Sequence, residues 1–447
     1  MLSVLRNRTY RRLFTAQLVA LTGTGLATVA LALLAYDLAG ADAGSVLGTA
    51  LAVKMVAYVV IAPAVGAVAD RLPRRALLVG SDLTRAVVAL LLPFVDQVWQ
   101  VYVLIFLLQA ASAAFTPTFQ AVVPDVLPAE RDYTRALSLS RLAYDLESLF
   151  SPALAAALLS LVTYNWLFLG TVFGFAASAT LVVSVVLPTP AVAAAPRAGG
   201  VYARTTASTR LFLAVPQLRA LLALDLAVAA AGAMVTVNSV VYVRDQVGRS
   251  AADVPLALGA YGAGSMVVAL LLPRVLDRVP DRTVMLRGAL LLTAVFVALG
   301  AITSAGGGSW RWPALLAAWA AFGAACSMVL TPTGRLIRRA APAEERTSAF
   351  AAQFSLSHGC WLLTYPLAGW LGAVAGLRSA VLALGALALT AALLAVRLWP
   401  PPLEAAPVEH EHADLPAGHP HLCDATRVRS GWRHSHHPLL DGLHTHG

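Results

Sequence analysis

The sequence predicts an all-α membrane protein with twelve transmembrane helices in two six-helix halves. Of its 447 residues, 59 % are hydrophobic and only 12 % are charged, whereas an ordinary soluble domain is about one quarter charged. One crossing of the hydrocarbon core uses about 20 apolar residues, and the region before residue 399 is long and apolar enough for a dozen crossings. This composition excludes a soluble enzyme.

The predicted spans are apolar stretches separated by polar residues, proline or glycine. They cover residues 12–39, 44–69, 76–94, 98–120, 134–161, 164–187, 216–243, 252–274, 283–303, 312–336, 346–371 and 377–398. The first stretch follows four arginines and has no convincing cleavage site. We therefore interpret it as a retained span and not as a signal peptide.

Arginines are distributed unevenly between the two ends of these spans. Most lie at one end, whereas the opposite end has only Arg244, Arg249, Arg311 and Arg378. The positive-inside rule then predicts a multi-pass protein of the plasma membrane with both termini in the cytoplasm. The net charge of +9 is explained by topology, so we expect no nucleic-acid partner.

Two halves of the chain repeat each other. A polar linker at 188–215 separates the halves 1–187 and 216–398, and a histidine-rich tail follows at 399–447. Residues 70–75 correspond to residues 277–282 at an offset of 207, and Thr-Pro-Thr at 116–118 corresponds to Thr-Pro-Thr at 331–333 at an offset of 215. Two six-span halves around a central path are typical of a transporter.

The loop after the second span carries a motif of one glycine, one acid and clustered arginines. It resembles the signature loop of the major facilitator superfamily and is formed by Gly66, Asp70, Arg71, Pro73, Arg74 and Arg75. The resemblance implies the major facilitator fold and a gating role for this loop without contact to substrate. We extend that role to the repeat of the loop in the second half, at Asp277, Arg278 and Arg282.

Further segments make the chain similar to bacterial nickel-resistance exporters of that superfamily. They are residues 6–11, 22–27 and 136–147, together with the histidines near the C-terminus. Siderophore and drug exporters share parts of the body. The tail therefore contributes most to the choice among these families.

Nine of the ten histidines lie in the tail, which contains enough proline and glycine to predict a disordered segment. Neutral imidazole binds nickel, copper, zinc and cobalt, and a flexible chain can fold pairs of imidazoles around one ion. The candidate metal ligands are His410, His412, His419, His421, His434, His436, His437, His444 and His446.

Ionisable residues inside membrane spans are costly and usually face a cavity. The fifth span has the densest set, in which Arg141 and Asp145 are one turn apart and can pair, while Glu147 lies off their face. Asp145 and Glu147 are the first candidates for coupling. Other candidates are Asp37, Lys54, Asp82 with Arg85, Asp225 (alone or paired with Arg219), Asn238 and His358.

The favoured function is a proton-coupled exporter of a divalent cation, nickel or cobalt, that confers metal resistance and works as a monomer. The sequence has no nucleotide-binding loop, so we expect neither enzymatic activity nor a cofactor; the partners are the metal ion, protons and lipid. One alternative is a drug or siderophore exporter with an incidental tail. Another is a membrane-tethered metal buffer or sensor.

Overall fold

The computed structural model describes residues 2–39, 43–69, 72–188, 206, 209–210, 212–250, 253–305, 307–341, 346–399, 408–412, 426–428 and 431–436. These residues form two compact units, the body up to Leu398 and the tail from Trp399. The body is a bundle of long helices, as predicted.

The first half begins with a short 3-10 helix, Leu2–Arg6, and then contains six long helices. They are α1 (Arg8–Ala39), α2 (Ala43–Ala69), α3 (Arg74–Leu91, extended by the 3-10 turn Leu92–Phe94), α4 (Val98–Val126), α5 (Glu130–Leu159) and α6 (Asn165–Val183). At 1.5 Å per residue, each is close to or above the roughly 30 Å thickness of a hydrocarbon core.

The second half contains seven helices that make six spans. They are α7 (Pro216–Val241, followed by the π-helical turn Tyr242–Gln246), α8 (Val254–Leu276), α9 (Asp281–Ser304), α10 (Arg311–Leu330), α11 (Thr333–Ala340), α12 (Arg346–Val374) and α13 (Gly376–Leu398). The predicted tenth span is interrupted at Pro332, because proline cannot donate the backbone hydrogen bond that would continue the helix.

By length and composition, ten spans in the described ranges are apolar enough to cross a membrane. The two that fall short are α5 and α12, and both pack against the other half: α5 packs on α8, and α12 packs on α2 and α4. Their polarity reflects burial between the halves, where less of the helix surface meets lipid.

Close helix crossing in the second half depends on glycine. A Cβ atom at Gly264 of α8 would overlap the carbonyl group of Ala320, and one at Gly323 of α10 would overlap the carbonyl group of Tyr261. Small residues are the usual means by which membrane helices approach each other closely.

The tail differs from the disordered segment that its composition predicts. Three antiparallel strands, β1 (Val408–His412), β2 (Thr426–Val428) and β3 (Gly431–His436), form a sheet in the order β1-β3-β2. In this register His410 lies opposite His434, and His412 lies opposite Trp432. The expectation was wrong for these segments because the prolines of the tail lie outside the strands, where they do not interrupt the ladder.

Candidate functional site

Polar and aromatic side chains from both halves meet near the middle of four helices. This midplane cluster consists of Lys54 and Tyr58 of α2, Gln109 of α4, Glu147 of α5, and Phe354 and His358 of α12. Each residue lies well inside its helix, so the cluster is at the depth where major transporter folds place their substrate sites.

Tyr58 is at the centre of the midplane cluster. Its hydroxyl donates to Gln109 Oε1 at 2.8 Å, and its ring lies 4.8 Å from Phe354 and 4.7 Å from His358, centroid to centroid. The Lys54 ammonium lies 5.6 Å from the same ring. Such a combination of aromatic faces and a few hydrogen-bonding groups is typical of sites for organic ligands.

His358 presents one of its ring nitrogens as an acceptor. Nδ1 lies 2.7 Å from the carbonyl oxygen of Phe354, and a carbonyl oxygen can only accept, so Nδ1 carries the proton. In the neutral ring Nε2 is then the acceptor.

Glu147, a predicted coupling residue, interacts electrostatically with Lys54 across α5 and α2. It also lies against α1, since a Cβ atom at Gly25 would be 3.0 Å from Glu147 Oε1. The glycine mainly leaves space for the Ser151 side chain, whose Oγ that Cβ atom would overlap, with Glu147 beside it.

Arg141 and Asp145 form the predicted ion pair, with 2.9 Å between Nη2 and Oδ1. Ser265 of α8 completes a bridge between the halves: Arg141 Nε donates to Ser265 Oγ at 3.1 Å, and Ser265 Oγ donates to Asp145 Oδ2 at 2.6 Å. Asp145 and Ser265 are both buried.

Asp82 and Arg85 also form their predicted pair on α3. Ser178 of α6 donates to Asp82 Oδ2 at 2.7 Å, and the Arg85 guanidinium lies 4.4 Å from the rings of Phe115 and Phe175. This enclosure by hydrogen bonds and aromatic faces supports a structural role.

Asp225 does not pair with Arg219, and that expectation was wrong. Arg219 is exposed, because six residues along a helix are about one and two-thirds turns and place it on another face. Asp225 instead accepts a hydrogen bond from Gln353 Nε2 of α12 at 2.8 Å.

The arginine-rich end of the bundle, here called the basic end, is where α1, α3, α5, α7, α9 and α12 begin. Ion pairs join the two halves there. They are Arg346 with Asp125 (2.7 Å), Arg131 with Asp277 (3.2 Å), Arg335 with Glu130 (2.8 Å) and Arg339 with Glu130. Arg335 and Arg339 also pair with Asp281 of their own half, at 3.1 and 2.8 Å.

The predicted gating residues lie at or near this end. Gly66 contacts α12, since a Cβ atom there would be 2.9 Å from Ala351 Cβ. Arg74 pairs with Asp125, and Asp277 pairs with Arg131. Arg75 and Arg278 are exposed and Arg282 is half-buried, while Asp70 and Arg71 lie outside the described residues. The gating role of the loop stays a prediction.

Two groups of candidates lie away from the midplane cluster. Asp37 is exposed near the C-terminal end of α1 and forms a hydrogen bond with Tyr164. Burial of the Tyr164 hydroxyl and, as the smaller effect, this hydrogen bond raise the pKa of Tyr164 to about 12. Of the tail histidines, His410, His412, His434 and His436 belong to strands; His419, His421, His437, His444 and His446 lie outside the described residues.

Sequence comparison decides the family. The profile of the Major Facilitator Superfamily matches residues 13–310 and 226–439 in overlapping segments. The chain belongs to the major facilitator superfamily. It is therefore a multi-pass membrane transporter and not an enzyme, as the sequence predicted.

Relatives within this superfamily include efflux proteins. Macrolide efflux protein A of Streptococcus pyogenes is 29 % identical over 165 residues, which cover 36 % of this chain and 40 % of that protein. The Enterococcus faecalis protein of the same name is 30 % identical over 136 residues, 29 % of this chain and 42 % of that protein. The chain thus spans less than half the length of these relatives, and they give no support to a metal substrate.

Solved structures of superfamily transporters share the fold. The human organic anion transporter MFSD10 has a TM-score of 0.74 at 15 % identity, covering 87 % of this chain and 99 % of that chain. A bacterial homologue of the iron transporter ferroportin in its outward-facing state has a TM-score of 0.72 at 13 % identity, covering 87 % and 99 %. At such identities the likeness shows the fold alone.

The sequence did not predict several residues of the site. They are Tyr58, Gln109, Ser265, Gln353 and Phe354. Their partners are long-range contacts: Gln353 and Asp225, for example, are separated by 128 residues. The sequence did contain one indication of such contacts. An amide side chain inside an apolar span, such as Gln109 or Gln353, needs a hydrogen-bond partner in the membrane.

Proposed function

We propose that the chain is a proton-driven exporter of small organic molecules in a bacterial plasma membrane. The observation that carries this proposal is its similarity to macrolide efflux proteins. The midplane cluster supports it, because Tyr58, Phe354 and His358 offer ring faces and acceptors to an organic ligand. Ring stacking and a few placed polar groups are how such ligands are held.

A divalent metal was the substrate that the histidine tail favoured. Within the described part of the chain, no group of three or more histidine, cysteine, aspartate or glutamate side chains is placed to hold a metal ion. A transported transition metal needs a set of such ligands along its path. The case for metal therefore depends on the tail, and an organic substrate fits the body better.

The positive-inside rule assigns the basic end to the cytoplasm. The ion pairs between Asp125 and Arg346, and between Glu130 and Arg335, hold the two halves together at that end. With this assignment the structure is a conformation closed towards the cytoplasm. Transport then requires these pairs to break as the halves rock around the midplane cluster.

Substrate would enter from the cytoplasm once these pairs have broken, and would leave on the other side while they are formed. Lys54 and Glu147 are half-buried and contribute charge to the cluster. A few charged or polar groups in a ligand site fix the orientation of the polar groups of the ligand. We therefore assign the recognition of polar substrate groups to Lys54 and Glu147, and the packing of its apolar surface to the three rings.

Everted membrane vesicles test this function directly. Vesicles with an acidic lumen should take up radiolabelled erythromycin, and a protonophore should abolish the uptake. The Tyr58→Ala variant should lose most of it, because it removes the ring and hydroxyl at the centre of the cluster. Phe94→Ala is the matched control. The Phe94 side chain is 78 % exposed, and Phe94 lies in the 3-10 turn after α3, which contributes no residue to the midplane cluster.

A parallel assay with radioactive nickel separates the candidate functions. Proton-driven nickel uptake without erythromycin uptake would overturn the organic substrate and restore the metal exporter. Uptake of neither probe, with the transporter shown to be folded, would contradict export of macrolide-like molecules.

A further inference from the structure

Asp225 differs from the other buried carboxyl groups in the middle of the body. Asp82 is paired with Arg85, Asp145 with Arg141, and Glu147 interacts with Lys54. Asp225 is only 2 % exposed, and within the described residues its partner is the neutral amide of Gln353. An isolated carboxylate in an apolar environment is costly and is avoided by binding a proton.

Two oxygen atoms at this contact have no hydrogen-bond partner in the part of the chain that the structure describes. Gln353 Nε2 donates to Asp225 Oδ2, but Asp225 Oδ1 and Gln353 Oε1 are both buried without a hydrogen-bond partner. Both atoms are acceptors when the carboxyl group is ionised, so neither can satisfy the other. One proton on Oδ1 would let the acid donate to Oε1 and would satisfy both atoms at once.

Among the described residues, no cation lies close enough to compete for Asp225. The neighbours that interact with Asp225 are Gln353 and, electrostatically, the Cys360 thiol, both on α12. Helices α8, α9, α10, α11 and α13 also pack on α7, and among their described residues none contributes a charge to Asp225. Binding a proton is therefore the remaining way to neutralise this carboxylate.

The first half has a neutral counterpart at the same place. Gln17 is the tenth residue of α1, as Asp225 is the tenth of α7. Gln17 is buried and accepts a hydrogen bond from Ser140 of α5 at 3.1 Å. A neutral pair is thus enough to join these helices, and packing alone does not explain a carboxyl group in the second half.

The pair also lies next to contacts between the halves. On α12, Ala351 packs against Gly66, and Ser355 donates to the carbonyl oxygen of Val59 at 2.6 Å. Gln353 lies between these two residues in sequence. A change in the hydrogen bond between Asp225 and Gln353 therefore acts on α12, the helix that contacts the first half.

We infer that Asp225 binds the proton that drives transport and that Gln353 is its positioning residue, donating to Oδ2 of the carboxylate and accepting from the Oδ1–H group once the proton is bound. Asp225 Oδ1 takes one proton, the resulting O–H donates to Gln353 Oε1, and loss of the proton returns the carboxylate. This assignment depends on the proposed proton-driven export, but proton binding itself can be measured without a substrate.

Infrared difference spectroscopy of the purified full chain across a pH titration tests the binding step. Wild type should show the carbonyl band of a protonated carboxyl group, and Asp225→Asn should lack it. In Gln353→Leu both forms lose hydrogen bonds, but a bond to a charged carboxylate is worth more than a neutral one, so proton affinity should rise about tenfold and the midpoint should move about one pH unit upwards. Gln17→Leu is the matched control and should leave the midpoint unchanged.

A band that persists undiminished in Asp225→Asn would overturn the assignment, and so would an unchanged midpoint in Gln353→Leu. Transport in proteoliposomes then separates the two proposals. Erythromycin uptake driven by a pH gradient should be lost in Asp225→Asn, while exchange at equal pH should be retained.

A wild-type transport rate that does not change with the pH gradient would contradict the proposed energy source. Gradient-driven transport that survives in Asp225→Asn would contradict only the role of Asp225. A sodium gradient that drives wild-type transport in place of protons would overturn the choice of ion.

Discussion

Arg346 and Asp125 join the two halves at the basic end, with 2.7 Å between Nη1 and Oδ1. Asp125 pairs at the same time with Arg74 of its own half. One carboxylate thus neutralises an arginine from each half. Its side chain is only 14 % exposed, so the pair is protected from much of the screening that weakens surface ion pairs.

Replacement of Asp125 by Asn should open the basic end. The variant leaves two partly buried arginines close together, and the loss of a charged hydrogen bond costs about 2 kcal/mol, a roughly 30-fold change in the ratio of the two conformations. Spin labels at Leu72→Cys and Arg274→Cys, in a background without the 3 native cysteines, should report longer distances.

Arg131→Ala is the control for that measurement. Arg131 pairs with Asp277 across the same end, but its side chain is 68 % exposed, and an exposed pair contributes less than about 1 kcal/mol. Equal opening in both variants would show that Asp125 has no special part in closure.

Gly323→Ala should destabilise the second half. The added Cβ atom would meet the carbonyl group of Tyr261 and approach the backbone nitrogen of Ser265 at 3.1 Å. Overpacking of this kind costs about 1–3 kcal/mol, which should lower the melting temperature of the purified protein by several degrees. Gly259→Ala on α8 should not, because nothing lies within 4 Å of its added Cβ atom, and alanine favours a helix over glycine.

Lys54 and Glu147 should behave as a coupled pair in transport. Removal of one charge leaves the other buried without compensation, so Glu147→Gln and Lys54→Met should each reduce initial rates of erythromycin export about tenfold. The double variant should lose less than the sum of the two effects in free energy. Strict additivity in the double-mutant cycle would argue against the pairing.

Truncation after Pro402 should separate the tail from transport. Residues up to Leu398 form a compact unit of their own, so erythromycin export should be unchanged. Calorimetric titration with nickel should show binding by the full chain and a large loss of that binding after truncation, because the truncation removes the nine clustered histidines and imidazole is a good nickel ligand. Equal nickel binding by both proteins would exclude the tail as a metal site.

The sequence predicted features that are repeated or local. Long apolar runs predicted the long helices of both halves, with ten spans in the described ranges apolar enough to cross a membrane. Spacing along one helix predicted the pairs Arg141–Asp145 and Asp82–Arg85. It did not predict Asp225–Gln353, since that contact depends on how α12 packs against α7. It also missed the strands of the tail, because composition was averaged over a segment whose prolines lie outside the strands.

Lys54 is the only lysine in the chain; the other 31 basic residues are arginine. Apart from the N-terminal amine, an amine-specific reagent therefore has one place to react, and that place is the Lys54 ammonium beside Tyr58. Labelling of this one amine, measured by mass spectrometry, therefore reports how accessible the midplane cluster is, without any engineered residue. Protection of that amine by added macrolide would give a direct reading of occupancy.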